Sequence, residues 1–229
     1  MKKVIINDFT EIEKLKSNSN HDEIVKILQD IMKKILLNTK IEIETPDNKV
    51  SIEPVCVEAY YKSDIFKDFS VHEIKDLQTN HFGKLYIHRQ GGKKANKTSI
   101  PLLNNRGGID LCLSDGDYYL SFLIREAYIS INKAIVYVDG PGRLVKYLSG
   151  MEFGEQKTKA PCGIITKDNY NIIENKDVLF TLEKAEDVPV YFSIRINIPY
   201  NRKASDKKYN EEKAKEKYVF ALLRAVKGM

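Results

Sequence analysis

The order of elements along the chain predicts an α+β fold: a single domain, residues 1–229, built on a mostly antiparallel sheet with flanking helices. Three observations predict it. Short apolar or alternating runs follow one another with few helical patterns between them, which favours antiparallel pairing of neighbouring strands. One stretch near the N-terminus carries a clear helical period. The 229 residues, 42% of them hydrophobic, suffice for one substantial core and contain no internal repeat.

The elements follow in order. Thr10 with Glu13, and Asn20 with Glu23, have capping-box spacing before helical patterns. In the second pattern Ile24, Ile27, Leu28, Ile31, Ile35 and Leu36 share one face, so this helix is expected to dock on the core, and residues 1–40 form a helical segment packed on the domain. "KIEIET" alternates as a strand, "PDN" turns, and "KVSIEPVCVEAYY" returns as the second arm of a hairpin, its buried part Val55 to Val57 ending at the carboxylate of Glu58. "GKLYIHR", "GIDLCLS", "YYLSFLIREAYI" and "KAIVYVD" are further strands. "GPGRLVKYLSG" is a turn opening into a short helix, and "VLFTLEK", "VYFSIRINIPY" and "KYVFALLRA" complete the sheet.

Charge narrows the classes of partner. The net charge of +5 and the pI near 8.8 are compatible with a polyanion. Much of the excess falls in "HRQGGKKANKTSIPLLNNRGG", where Arg89, Lys93, Lys94, Lys97 and Arg106 occur without an acid. Residues 90–106 thus read as an inserted basic loop, with two readings open: a phosphate contact surface or a solubilising loop. "GGKKANKTS" lacks the spacing of a nucleotide phosphate loop. Cys56, Cys112 and Cys162 are widely separated in apolar or small-residue company, as core thiols are. The N-terminus has two lysines followed by acids, and no window approaches the roughly 20 apolar residues of a membrane span, so a cytoplasmic protein with no membrane partner is expected.

Four side chains suggest chemistry. Glu58 ends a buried run, and on its own it reads first as a solvated or ion-paired residue. Tyr60, two positions on, points to the same side of an extended chain. Arg125 interrupts the apolar run "SFLIREA", and a buried arginine wants a carboxylate or a ligand. His72 follows in "DFSVHEI". Together they can hold a flat ring by stacking and let an arginine-oriented carboxylate take a proton from water.

These residues carry a resemblance to the alkyladenine (3-methyladenine, methylpurine) DNA glycosylase family. The matching order is "IMKKILLNTKIEIETPDNKVSIEPVCVEAYY", then His72, "GKLYIH", "GGIDLCL", "FLIREA", "GPGRL", "SIRINI" and "KYVFALLR", covering most of the chain from about Ile31 onward. The resemblance implies that Glu58 is the general base activating water at the sugar C1′, with Arg125 positioning the water and a nearby phosphate. Tyr60 and His72 would enclose the extruded base. Tyr86 matches an aromatic of the family's pocket strand, His88 falls where the family often has tyrosine, and Ser114 falls where an asparagine near the base edge is common. Arg143 replaces the lysine of the Gly-Pro-x-Lys-Leu turn as a backbone contact. The family's fold is a curved, barrel-like sheet related to the C-terminal domain of methionyl-tRNA formyltransferase. Its chemistry needs no cofactor and no metal, its partner is DNA, single- or double-stranded, with no obligate protein partner, and a nucleoid-associated location follows when DNA is bound.

The chain also departs from the family. In place of the short hairpin that inserts a bulky aromatic into the duplex stands the basic stretch 90–105, where Leu102 or Leu103 is either a wedge or part of the core. Three readings follow: a glycosylase acting on alkylated or deaminated purines, a non-catalytic nucleic-acid-binding module of the same fold, and a hydrolase of another base or nucleoside.

Overall fold

One helix buries an apolar face in the core against the sheet. In a computed structural model of the chain, residues 3–4, 10–44, 49–68, 70–71, 82–83, 85–88, 107–114, 116–132, 134–148, 172–173, 177–181, 188–195 and 221–228 are described. Helix α1 (Thr10–Ser17) precedes α2 (His21–Asn38), which buries Ile24, Leu28, Ile31, Met32, Ile35 and Leu36. The predicted face is present, with Ile27 at its half-buried margin. Asn20 caps α2, its Oδ1 accepting from the N–H of Asp22 at 2.9 Å and of Glu23 at 3.4 Å. The box closes through a different residue from the expected one. The Glu23 carboxylate accepts from Asn18 Nδ2 at 2.7 Å, while the Asn20 N–H donates to Asn18 Oδ1 at 2.8 Å.

The strands are β1 (Lys3–Val4), β2 (Thr39–Glu44), β3 (Lys49–Lys62), β4 (Leu85–His88), β5 (Gly108–Cys112), β6 (Tyr119–Ile131), β7 (Ala134–Asp139), β8 (Ile172–Ile173), β9 (Asp177–Thr181), β10 (Val190–Ser193) and β11 (Arg224–Lys227). All their pairings are antiparallel. The α+β class and the antiparallel sheet therefore agree with the expectation. The main path runs β1-β9-β2-β3-β6-β5-β4-β8, and its two ends do not meet among the described residues.

The centre of the sheet is the long pair β3 and β6, matched from Val50 opposite Ile131 to Lys62 opposite Tyr119. Each is longer than the strands beside it, so each outer edge is shared. Residues 49–52 of β3 pair with β2 and residues 56–58 with β11. On β6, residues 121–124 pair with β5 and residues 126–131 with β7. The sheet forks on both sides of its central ribbon.

Where the forks begin, both central strands bulge. Pro54 faces Ala127, Cys56 faces Glu126 and Val57 faces Ile124, which leaves Val55 and Arg125 without a partner in the ladder. An unpaired residue in a strand reverses which face the following side chains occupy. The core shows this reversal. Val50 and Ile52 join the helix-side cluster before the bulge and Val57, Ala59 and Tyr61 after it; on β6, Leu120, Phe122 and Ile124 give way to Ala127, Ile129 and Ile131. Glu58 and Tyr60 are thereby turned to the second face.

Three boundaries differ from the sequence reading. The buried run does not end at Glu58 but takes in Glu58, Ala59 and Tyr61, because the ladder to β6 holds through the bulge as far as Lys62. The last strand begins at Arg224, later than the apolar run starting at residue 217 suggested. Leu223 N–H donates to Ala221 O at 2.8 Å, a tight turn that occupies residues 221–223, and Leu223 O accepts from Ala59 N–H at 2.8 Å. The two-residue strands β1 and β8 had no sequence signal of their own. Helix α3 (Pro141–Leu148) follows the Gly/Pro turn as expected, with proline at its first position and Gly140 at φ +94°, a conformation that favours glycine. The turn expected at "PDN" lies outside the described residues.

Candidate active site

The second face of the sheet collects ionisable groups in one lateral row. Following the register across β4, β5, β6, β3 and β11, Tyr86 faces Asp110, Asp110 faces Leu123, Leu123 faces Glu58, and Glu58 faces Arg224. Asp110 is on this side because its neighbours Ile109 and Leu111 belong to the helix-side core. Tyr86, Asp110 and Glu58 are buried.

Glu58 is the centre of the row. Its side chain is inaccessible, and its Oε2 accepts from Arg125 Nη1 at 3.1 Å and from the Tyr60 hydroxyl at 3.1 Å. A carboxylate withdrawn from water is tolerated only with such partners. Arg125 reaches it because the bulge takes Arg125 out of the regular alternation, aiming its side chain across the ribbon. Burial, and then the adjacent Glu58 carboxylate, push the Tyr60 hydroxyl well above its ordinary value, so this group remains a proton donor to Glu58.

A second ion pair fixes Tyr60 from behind. Arg195 lies with its guanidinium carbon 4.9 Å from the centre of the Tyr60 ring. It forks onto Asp68 through Nη1 to Oδ2 at 2.6 Å and Nη2 to Oδ1 at 3.3 Å, and Nη1 also donates to Ala59 O at 3.1 Å. Both side chains are fully inaccessible. One face of Tyr60 is thus covered by a planar cation.

Arg224 is held more loosely. It donates to Ser193 Oγ at 3.4 Å and Glu126 Oε1 at 3.5 Å, while its buried Nε has no hydrogen-bond partner. Beside it Cys56 is pushed up to about 12, with burial the largest cause, and burial likewise raises Cys112 well above its usual value. Both are buried free thiols, as the sequence suggested for cysteines in apolar company.

Arg125 also borders a recess of about 340 Å³, lined with Glu126, Asp139, Gly140 and Arg143. Gly140 N–H donates to Arg125 O at 2.8 Å, which ties the turn before α3 to the bulge. Arg143 pairs with Asp139 one helical turn away. The two arginines are matched by two acids, so among the described residues this recess has mixed charge.

The other expected site residues separate into groups. Tyr86 is buried in β4, opposite Asp110 in the ladder. Ser114 is buried and engaged with one residue: its Oγ donates to Leu120 O at 3.0 Å and accepts from Leu120 N–H at 2.8 Å, closing the β5–β6 connection. His88 is in β4, and its side chain lies outside the described residues, as do His72, Arg89, Lys93, Lys94, Lys97, Leu102, Leu103, Arg106 and Cys162. Asp68, Asp110, Arg195 and Arg224 were not anticipated. Asp110 and Arg195 carried the signal that identified Arg125, a charge within an apolar run. Among the described residues no helix is long and apolar enough to cross a membrane. Comparison of the chain with protein-family models and with characterised proteins finds no match.

Proposed function

We propose that the protein is an N-glycosyl hydrolase that removes damaged purines from DNA, with Glu58 as general base. One observation carries this reading: a fully buried glutamate whose single oxygen Oε2 is held by both Arg125 and Tyr60. Such a carboxylate is fixed in direction and keeps proton-accepting capacity for a water. A base is flipped from the stack, at a cost smallest for damaged pairs, and in this reading its ring stacks on Tyr60. Glu58 takes a proton as the water oxygen bonds to C1′. The C1′–N bond breaks and its electron pair leaves with the base. An alkylated cationic purine departs neutral, so no proton need be delivered to it.

In this reading Arg125 and Arg143, which line the recess with Glu126 and Asp139, turn to backbone phosphate when DNA binds, and the basic residues Arg89, Lys93, Lys94, Lys97 and Arg106 extend that contact along the strand. His72 and His88 complete the base enclosure in this reading. The forked antiparallel sheet around β3 and β6 supports the curved, barrel-like fold related to the methionyl-tRNA formyltransferase C-terminal domain.

The complete burial of Glu58 favours a second reading, in which the pair with Arg125 is architecture within a nucleic-acid-binding module without chemistry. Incubation with oligonucleotides carrying 3-methyladenine, 1,N6-ethenoadenine or hypoxanthine, duplex and single-stranded, separates the two. Abasic sites above the uncatalysed background are expected. Binding without abasic sites would establish the module instead, and release from free nucleosides alone would move the activity to that substrate.

A further inference from the structure

We infer that β7 is the contact through which two copies of this chain join, edge to edge, into one continuous sheet. Among the described residues β7 pairs with β6 alone, so its other edge presents backbone N–H and C=O groups to a further strand. Exposed edges are ordinarily blunted by charge, proline or a bulge. From Ala134 to Val138 this strand has none of the three. Instead Ile135 is 70% exposed, and Val136 and Tyr137 are exposed beside it.

The strand is complementary to itself. Antiparallel strands hydrogen-bond at alternate residues, and the Gly140 N–H that donates to Arg125 O fixes the alternation. Val136 and Val138 turn their backbone groups to β6, while Ile135, Tyr137 and Asp139 turn theirs outward. A two-fold axis through Val136 sets Ile135 opposite Tyr137 of the second copy, and Tyr137 opposite Ile135. Outward backbone groups then bond with one another, and apolar side chains meet on the second face. Tyr128, its ring centre 5.3 Å from that of Tyr137, widens the patch in both copies. The ends agree in charge: β7 follows Lys133 in the sequence and closes on Asp139, and antiparallel copies bring the start of one to the end of the other. Asp139 pairs with Arg143, yet its side chain stays 55% accessible, so a second cation can reach it. Moving the axis one residue either way sets Tyr137 against Lys133, or Ile135 against Asp139, so the axis through Val136 is the favoured one. Because that axis is perpendicular to the sheet, both copies keep their Glu58 faces on one side.

The test is the molar mass of the full chain by light scattering across a concentration series, joined to thiol cross-linking. The wild type is expected at twice 26.3 kDa, and Ile135→Lys, changed at an exposed position, at 26.3 kDa with an unaltered circular dichroism spectrum. In Val136→Cys the two new thiols face each other across the axis with Cα atoms about 4.5 Å apart, within disulfide reach. In Ala134→Cys they are four residues out of step, about 14 Å apart. Oxidised glutathione, which accepts the two electrons of the paired thiols, is expected to link Val136→Cys into a covalent dimer and to leave Ala134→Cys unlinked, both in a Cys162→Ser background. A wild type of 26.3 kDa at every concentration would overturn the inference and leave this edge to a strand of another protein. A dimer that survives Ile135→Lys, and in which Val136→Cys does not link, would overturn it in favour of a different interface.

Discussion

Two buried ion pairs organise the residue scale, and they differ in what they permit. Asp68 and Arg195 are sealed, bidentate and anchored to the backbone, so their task is to hold Tyr60. Replacing Arg195 by Met strands a buried carboxylate, and a loss of about 3–5 kcal/mol in urea unfolding is expected. Asp68→Asn combined with Arg195→Met should recover part of that loss. The thiol of Cys56 gives a pH prediction with a definite sign. It holds its proton in the folded state up to about 12, against an ordinary 9.0. Between those values the unfolded chain binds fewer protons, so stability falls as pH rises. Cys56→Ala should flatten the alkaline decline by about one proton, ~1.4 kcal/mol per pH unit, in urea unfolding followed upward from neutral pH. Glu58 and Arg125 were legible in the sequence because each sets a charge at an apolar run, and a buried arginine wants a carboxylate or a ligand. Arg195 carried the same signal, a charge within an apolar run, but its pairing with Asp68 was not legible, since nothing local joins residues 127 positions apart.

At the scale of elements, the paired bulges at Val55 and Arg125 are the decisive device. They let β3 and β6 fill the helix-side core on both sides of the fork while turning Glu58 and Tyr60 to the second face. Deleting Val55 would restore regular alternation, drive Glu58 into the apolar cluster and expose its neighbours, and loss of the cooperative thermal transition is the expected result by circular dichroism. The helix cap gives a milder test: Asn20→Ala removes the acceptor for two α2 amides and should cost about 1 kcal/mol. Element order, the face of α2 and most strands could be read from period and turn residues. The bulges could not. "KVSIEPVCVEAYY" is apolar on both parities near its centre, so period alone does not show where the alternation reverses. The late start of β11 has a similar cause, because the turn at 221–223 is made of Ala and Leu, which carry no turn signal.

For the whole molecule, the proposed function assigns the five basic residues between 89 and 106 to a strand of phosphates, the alternative for this segment being a solubilising loop. Neutralising Lys93, Lys94 and Lys97 together should weaken DNA binding uniformly across sequences. The slope of log affinity against log salt should fall by about one for each lysine that meets a phosphate, as fluorescence anisotropy titrations would show. The central claim, that the forked sheet exists to present a buried base to a flipped nucleotide, is tested most directly by single-turnover abasic-site formation with wild-type protein and Glu58→Gln on the same lesion-bearing strand. Glu58→Gln keeps the shape and the contacts to Arg125 and Tyr60 while removing the proton acceptor. Abasic sites from the wild type, reduced at least about a hundredfold in the variant with binding retained, is the predicted result. Equal rates from the two proteins would contradict it.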